Sequence, residues 1–590
     1  MRLTHVAHLR LPFGALRSYE VETSAPGAEL PVSFDQRRHV AAGNRPGSWM
    51  AISLTLPSRV DPDQLGAAWL GVIARHGTLR TVFDETDETE HAGVRLRSIE
   101  VGPGRWVDHP VGPGRSMHEV LREVLDEHCV SLARPAHRLC MIDTAQGPTL
   151  VLAADHAHVD MWSMLVLARD LLTALADVGA GRELFPGWVP TFAEHTRILR
   201  GRDAPEDVQR RWREIIAAGG DVMPRFPLPL GEAGPQPERV EVRDVLDVDD
   251  TAALSAQARS DGVSTLALAV SLMTEVTREL AGVPLRAVFP VHSRYDTTWH
   301  DSVGWFITNS VLESGDPAPA AAAAAVKEAI RLGSWPLEKV LAPWGGMPEA
   351  PGMFAISWLD LRRLPVRIDD VGLQAQYVSA ATRPDGVMLW FILDEAGVHL
   401  RCRYPDTGEA RAGVGAWLDA LVARMQQRAR SSAGDVLRCG QRTYRLQRAE
   451  RGDLPAIRDL LADDDIGRTR EAGDLEEYEA AFDQIAHDRA HYLAVVRDEG
   501  GTVVGTMQLT ILPGLSRRGA TRLQIEAVRV ALSERSRGLG RAMFEWAHAH
   551  GRTRGASLAQ LTTDLERTGA REFYARLGYE ATHAGLKRAL

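Results

Sequence analysis

Two stretches of the 590-residue chain hold side chains whose types and spacing suit group transfer. In TLVLAADHAHVDMWSML (149–165), Asp155, His156, His158 and Asp160 crowd into six residues. A neutral imidazole titrates near neutral pH, so it can take a proton from an attacking amine or hydroxyl. The same set can be read as metal ligands or as polar loop residues bonded to backbone, and spacing alone leaves all three readings open. In QIEAVRVALSERSRGLGRAMF (524–544), the run Arg535, Ser536, Arg537, Gly538, Leu539, Gly540, Arg541 stands where a strand pattern gives way to a helical one. Glycines at a helix start let backbone N–H groups approach an anion, and the helix dipole and flanking arginines add favourable field. That is the physics of a pyrophosphate cradle; a plain tight turn is the alternative.

Rigid elements must aim these groups. Thr149–Ala154 reads as a buried strand and Met161–Leu172 as a helix, which makes the histidine segment a turn between the two. Ile525, Ala527 or Val528, and Val530 alternate as a strand before the glycines, and Met543, Phe544 and Ala547 form the apolar face of the helix after them. Leu65, Ala68, Trp69, Val72 and Ile73 follow helical spacing, with Asp61 or Asp63 as cap and LRTVF as the next strand. A Pro/Gly-rich break at 224–237 parts two halves of about 200 residues each. A polar, arginine-rich stretch near 426–442 reads as a linker, and the remainder is long enough for its own core. The expected divisions are a lead-in at 1–24, lobes at 25–230 and 231–426, a linker at 427–442, and a C-terminal domain at 443–590.

Composition excludes several classes. Apolar residues make up 45% and charged residues 25%, a globular balance that rules out a largely disordered or collagen-like chain. The charge of 68 − 78 = −10 gives no global basic field for nucleic acid. The cysteines (Cys129, Cys140, Cys402, Cys439) show no C-x-x-C spacing, so neither a disulfide framework nor a cysteine zinc site is indicated. The N-terminal stretch lacks an apolar core of about 7–15 residues, and no run of about 18 apolar residues exists. The expectation is a soluble cytoplasmic protein.

Asp155-His156-Ala157-His158-Val159-Asp160-Met161-Trp162-Ser163 resembles the active-site motif of nonribosomal-peptide condensation domains, His-His-x-x-x-Asp-Gly, often followed by Trp-Ser. PVSFDQRRHV (31–40), RHGTLRTVF (75–83) and HSRYDTTWHDSVGWFITNSV (292–311) are similar to further landmarks of that family, in the same order. The resemblance implies an α/β (α+β) fold of two chloramphenicol-acetyltransferase-like lobes in a V with a tunnel between them. It implies that His156 is the catalytic or substrate-orienting base. It makes Asp160 mainly structural, salt-bridged to an arginine for which Arg294 is the candidate, with Asp155 and Ser163 also in the scaffold of the site. Two positions depart from the pattern: Asp155 replaces the first histidine and Met161 the glycine. Asp155, Asp160 and Ser163 also fit the D-x-x-x-x-D-x-x-S pattern of heterocyclization domains, which usually lack a histidine at position 156. His156, His158 and Asp160 resemble the opening of the metallo-β-lactamase zinc motif, but Met161 stands where that motif has another histidine, and no downstream ligand series is evident. No metal is expected. Gly219-Gly220-Asp221-Val222 lacks the serine of a carrier-protein motif, so the donor is expected as a phosphopantetheine thioester on a carrier protein supplied in trans, or as a free thioester.

The C-terminal segment resembles GNAT N-acetyltransferases. RSRGLGR (535–541) matches the acetyl-CoA motif (Q/R)-x-x-G-x-(G/A), Tyr444–Leu461 the first strand and helix, Leu493–Gly514 the central hairpin, and Leu558–Leu590 the closing motif. A separate domain with a mixed sheet is implied. By position, Val528 and Val530 would align the pantetheine arm through backbone groups, and Arg535 to Arg541 would hold the pyrophosphate. Glu526 would act as general base through water, and Tyr574 would protonate the departing thiolate. A surface carboxylate and a packed aromatic are the plainer readings of these last two. The combined expectation is a bifunctional acyltransferase of natural-product biosynthesis. One half joins a carrier-bound acyl or aminoacyl thioester to a small-molecule amine, giving an amide or ester, and the other moves acetyl from acetyl-CoA to an amine. The alternatives are a first half that only docks a carrier or partner, and heterocyclization. Nucleic-acid and membrane partners are not expected.

Overall fold

The computed structural model describes residues 2–5, 9–85, 93–145, 147–185, 187–379, 384–431, 434–463, 468, 471, 475–488, 490–564, 566–583, 585 and 588. The chain forms two compact units, Met1–Val248 with Ala258–Met425, and Asp249–Gln257 with Gln426–Leu590.

The first unit is built on two large sheets. One has seven strands, ordered edge to edge as Arg2–His5, Gln376–Ser379, Trp49–Thr55, Thr149–Asp155, His137–Asp143, Ala15–Thr23 and Val101–His109. All neighbours are antiparallel except the first pair. Every residue of Thr149–Asp155 is buried, because helices cover both faces of the sheet. Leu150, Leu152 and Ala154 join a core with Leu65, Trp69, Val72 and Leu165. Val151 and Ala153 face Leu121, Val124 and Leu125 of the helix Met117–His128. The helix expected near Asp61 runs from Pro62 to Arg75, and the Asp61 carboxylate accepts the Asp63 N–H at its start. The helix after the histidine segment is longer than expected, Met161–Gly179.

The second sheet has six strands in the order Glu238–Leu246, Gly397–Pro405, Val387–Asp394, Phe354–Asp360, Leu285–His292 and Ile307–Ser314. Its pairs are antiparallel except around Phe354–Asp360, which is parallel to both neighbours. The sequence halves do not map cleanly onto the sheets. Gln376–Ser379 comes from the second half and sits inside the first sheet, between Arg2–His5 and Trp49–Thr55.

The second unit holds one six-stranded sheet: Asp435–Cys439, Arg442–Arg448, His491–Arg497, Val503–Leu512, Thr521–Val530 and Ala556–Leu561. It is antiparallel except for the last pair, hence mixed. Leu539, Met543, Phe544 and Ala547 of the helix Leu539–Thr553 are buried against it. Ile457, Leu461, Phe482 and Ile485, from two other helices, pack with Leu493 and Val495.

Two expected boundaries are corrected. The 1–24 segment is no lead-in, because Ala15–Thr23 is an interior strand of the seven-stranded sheet, with Leu16, Ser18, Tyr19 and Val21 buried. Its polar alternate positions, such as Arg17 paired with Asp108, disguise a period-2 pattern. The 427–442 segment is no linker either. The helix Gly408–Ser431 runs into it, and Asp435–Cys439 is the edge strand of the next sheet. Leu421, Met425 and Ala429 are buried four residues apart, so one apolar side chain per turn seats the polar last turns of this helix. None of the four cysteines is paired. Among the described residues no helix is long and apolar enough to cross a membrane.

Candidate active sites

The strand Thr149–Asp155 delivers Asp155 to a fully buried position, where its carboxylate ties down the turn that follows. Oδ2 accepts hydrogen bonds from the hydroxyls of Ser48 and Ser131, Oδ1 accepts the Ala157 N–H at 2.9 Å, and His39 Nε2 lies 3.2 Å from Oδ1. Burial pushes this carboxyl up, and His39 and Ser48 more than offset that, holding it below the usual aspartate value. The turn is clamped from the opposite side by the helix Phe34–Val40, whose start is a capping box of Ser33 and Gln36. Gln36 Nε2 donates to Ala157 O at 2.8 Å.

His156 therefore stands on a fixed backbone, its own N–H donating to Ser48 O at 3.0 Å. Its Nδ1 is 2.8 Å from Val159 O. A carbonyl only accepts, so Nδ1 carries the proton and Nε2 the lone pair of the neutral ring. The ring stacks on Trp305 with centroids 4.0 Å apart and planes 13° apart, and it is partly exposed. Burial, with His39 nearby, lowers its pKa below the ordinary histidine value. At neutral pH His156 is a neutral base with one unspent lone pair.

Asp160 caps the helix Met161–Gly179, accepting the Ser163 N–H at 2.7 Å. The structure joins it to Arg294 across 134 positions of sequence, with bonds of 2.7 and 3.1 Å. Both side chains are 0% exposed. Arg294 also donates to Ser163 Oγ at 2.8 Å and lies over the rings of Phe306 and Trp162, while the Phe306 N–H donates to Asp160 at 3.0 Å. Burial would raise the Asp160 pKa; the Arg294 charge and its hydrogen bonds pull it below the ordinary value. Ser163 Oγ completes the knot by donating to Gly304 O at 2.9 Å. Met161 sits one residue on, its carbonyl accepting the Tyr377 hydroxyl at 3.0 Å.

His158 does not join His156. It is 1% exposed and packs edge-on against Phe83. Among the described residues no group of three or more His, Cys, Asp or Glu is placed to hold a metal ion. Gln36, His39 and Trp305 lie in the family-like segments 31–40 and 292–311, yet no local spacing singles them out. Position in a motif marked them; their chemistry shows only once the strands are paired.

In the second unit the strand Thr521–Val530 breaks register opposite Thr506–Gln508, where Ala527 has φ 53°. This bulge turns Val528 and Val530 out of regular alternation. Their carbonyls accept arginine side chains: Val528 O from Arg529 Nη1 at 2.9 Å, and Val530 O from Arg535 Nε at 2.9 Å. Arg535 also pairs with Asp463 at 2.9 Å, Arg537 lies 3.8 Å from Glu534, and Arg541 pairs with Glu545 at 2.8 Å. Ser536 (φ 62°) and Gly538 (φ 88°) bend the chain into the helix Leu539–Thr553, which has Gly538 as N-cap and no side-chain cap. A cap that lacks a side chain leaves first-turn N–H groups for an anion. The residues thus fit a pyrophosphate: an uncapped helix start, with guanidinium groups on salt bridges that can exchange. Gly540 follows in the first turn, beside Phe573. Glu526 is exposed on the strand, opposite Gln508. Tyr574 is half-buried against Phe544 and Phe573, and burial raises its pKa, so its phenol stays protonated at neutral pH.

The condensation-domain family model matches residues 28–328, and the acetyltransferase (GNAT) family model matches residues 454–579. The chain is 30% identical over 332 residues to an isonitrile lipopeptide synthase of Mycobacterium tuberculosis, covering 52% of this chain and 13% of that protein. It is 27% identical over 312 residues to a dimodular nonribosomal peptide synthase of Bacillus subtilis, covering 49% of this chain and 13% of that protein. The match thus spans a small part of these relatives. Among solved structures, the PapA2 acyl transferase superposes with a TM-score of 0.64 at 19% identity, over 73% of this chain and 100% of that one. The epimerization domain of tyrocidine synthetase B gives 0.53 at 13% identity, over 70% of this chain and 98% of that one. At such identities the likeness speaks for the fold.

Proposed function

The chain belongs to the condensation-domain family, carries a GNAT acetyltransferase domain after it, and is an acyltransferase; on that premise we propose that it serves natural-product biosynthesis with two separate acyl transfers. In the first, the amine nitrogen of a small-molecule acceptor attacks the carbonyl of an acyl or aminoacyl thioester borne by a partner carrier protein. The C–N bond forms and the C–S bond breaks. His156 Nε2 takes the proton leaving the amine and returns it to the thiolate. The observation that carries this reading is the His156 ring itself: Nδ1 spent on Val159 O, the face held by Trp305, Nε2 free. Asp160, Arg294, Ser163 and Asp155 hold the turn. Asp155 meets hydroxyl, amide and imidazole donors at once as part of the scaffold, and the base at position 156, which heterocyclization domains usually lack, favours amide formation.

In the second transfer the first-turn amides of the helix Leu539–Thr553, with Arg535 to Arg541, hold the pyrophosphate of acetyl-CoA. The Val528 and Val530 backbone aligns its pantetheine arm once Arg529 and Arg535 let go. Glu526, exposed and unencumbered by burial, takes the proton of the acceptor ammonium through water, and Tyr574 protonates the departing thiolate.

Intact-mass analysis of products from a loaded carrier protein, acetyl-CoA and amine acceptors tests both halves. His156→Ala is expected to slow amide formation by about 10²–10⁴ and spare acetylation, and Tyr574→Phe to do the reverse. Amide formation undiminished in His156→Ala would leave the first half as a docking module.

A further inference from the structure

Trp305 has a second role besides stacking on His156: its indole forms part of the wall of a cavity. The cavity lies among the start of the helix Phe34–Val40, the helix Phe192–Arg200, the strand Ile307–Ser314 and the turn Leu337–Val340. Its most buried charged group is Asp35, 5% exposed. Asp35 is hydrogen-bonded by Thr308 and Asn309 and has no close counter-charge. Asn309 Nδ2 donates to it at 3.4 Å, and the Arg38 guanidinium stays 4.0 Å away, engaged instead with Glu349 and with Met347 Sδ. Burial pushes the Asp35 carboxyl up, with Arg38, Thr308 and Asn309 opposing.

His195, 4% exposed, stands in the same wall. Its Nε2–H donates to Ser293 O at 3.0 Å, which leaves Nδ1 buried without a partner. Burial pulls the pKa down to about 4, so the ring is neutral at physiological pH and Nδ1 is an acceptor. Phe192 and Trp305 supply aromatic surface; the Trp335 ring already carries the Arg202 guanidinium 4.7 Å from its centroid, and its Nε1 is a buried donor without a partner. Arg200 and Glu338 complete the wall but are engaged: Arg200 donates to Val32 O at 2.6 Å, and Glu338 takes Arg37 at 2.7 Å. What the cavity offers a guest is a carboxyl, an imidazole lone pair and aromatic surface. Such a set recognises an ammonium, which donates to the first two and is attracted by ring faces.

We propose that this cavity binds an ammonium group of the acceptor substrate, a second cationic nitrogen beyond the amine that reacts at His156. The proposal rests on the reading of His156 as the condensing base and names the acceptor class: diamino compounds in preference to monoamines of equal length.

Titration calorimetry on the full chain with cadaverine and the uncharged pentan-1-ol as probes tests it. Cadaverine is expected to bind at least about tenfold more tightly, and Asp35→Asn to bring the two probes within about twofold. Equal binding of both probes by the unaltered chain overturns the proposal without any variant having to fold. Preference for cadaverine that survives in Asp35→Asn overturns it as well. His156→Ala separates this inference from the reaction it rests on. Preference kept with amide formation lost supports both; preference kept with amide formation intact overturns the His156 role alone; preference absent with amide formation lost overturns the ammonium site alone.

Discussion

For His156 the tautomer and the pKa point the same way. Nδ1 is committed to Val159 O, and burial keeps the ring neutral, so the basic form persists on acidification past the point where an ordinary histidine is protonated. The acidic limb of kcat/KM for amide formation is expected below pH 6.5, and His156→Ala is expected to cost about 10²–10⁴ in rate, both measurable in steady-state assays. Asp160 belongs to a different account. Removing it leaves Arg294 buried with no counter-charge, so Asp160→Ala is expected to cost about 3–5 kcal/mol in urea unfolding. The paired change Asp160→Leu with Arg294→Met is expected to cost less than either single change, because it removes both charges. The sign with pH is fixed by the depressed folded pKa: the Asp160 contribution is present above the ordinary aspartate value and lost as pH falls through the lower, folded one. The Asp160–Arg294 pair was legible in sequence because both lie in segments resembling one family. His39 was not: it meets Asp155 across 116 positions, and nothing in its local spacing separates it from a surface histidine.

Elements were legible where periodicity and punctuation agree. The helix Pro62–Arg75 announces itself by its cap and its apolar face, and the glycine turn before Leu539–Thr553 by composition. Elements were missed where polar residues fill the solvent side. Ala15–Thr23 and the end of Gly408–Ser431 are seated by a few apolar side chains that average out in composition. At the glycine turn the demand is conformational. A Cβ on Gly538 would meet nothing within 4 Å, yet its φ of 88° is one that L-residues avoid. Gly538→Ala is expected to cost about 1–2 kcal/mol and to weaken acetyl-CoA binding about tenfold, read by calorimetry.

Across the whole molecule, buried histidines set a common acid limit. His137 is pulled down to about 3 and His195 to about 4, and His158 is lowered too, each chiefly by burial. Below about pH 6.5 the unfolded chain binds protons at these sites and the folded chain does not, so stability falls as pH falls. For His137 and His195 the expected loss is about 1.4 kcal/mol each per pH unit from about 6.5 down to their folded values, visible as a drop in urea midpoint between neutral and mildly acidic buffer.

The short strand Gln376–Ser379 has a consequence for heredity. It is encoded far downstream of the six strands it joins, and it fills the slot between Arg2–His5 and Trp49–Thr55. A crossover that exchanged only the gene segment before codon 231 would pair one parent's sheet with the other parent's filler, and two diverged sequences would have to agree on register there or leave a row of backbone amides unmet. Recombinants are expected to fare better when the breakpoint falls near codon 425, where the whole first unit travels together and only Asp249–Gln257 of the second unit goes with it.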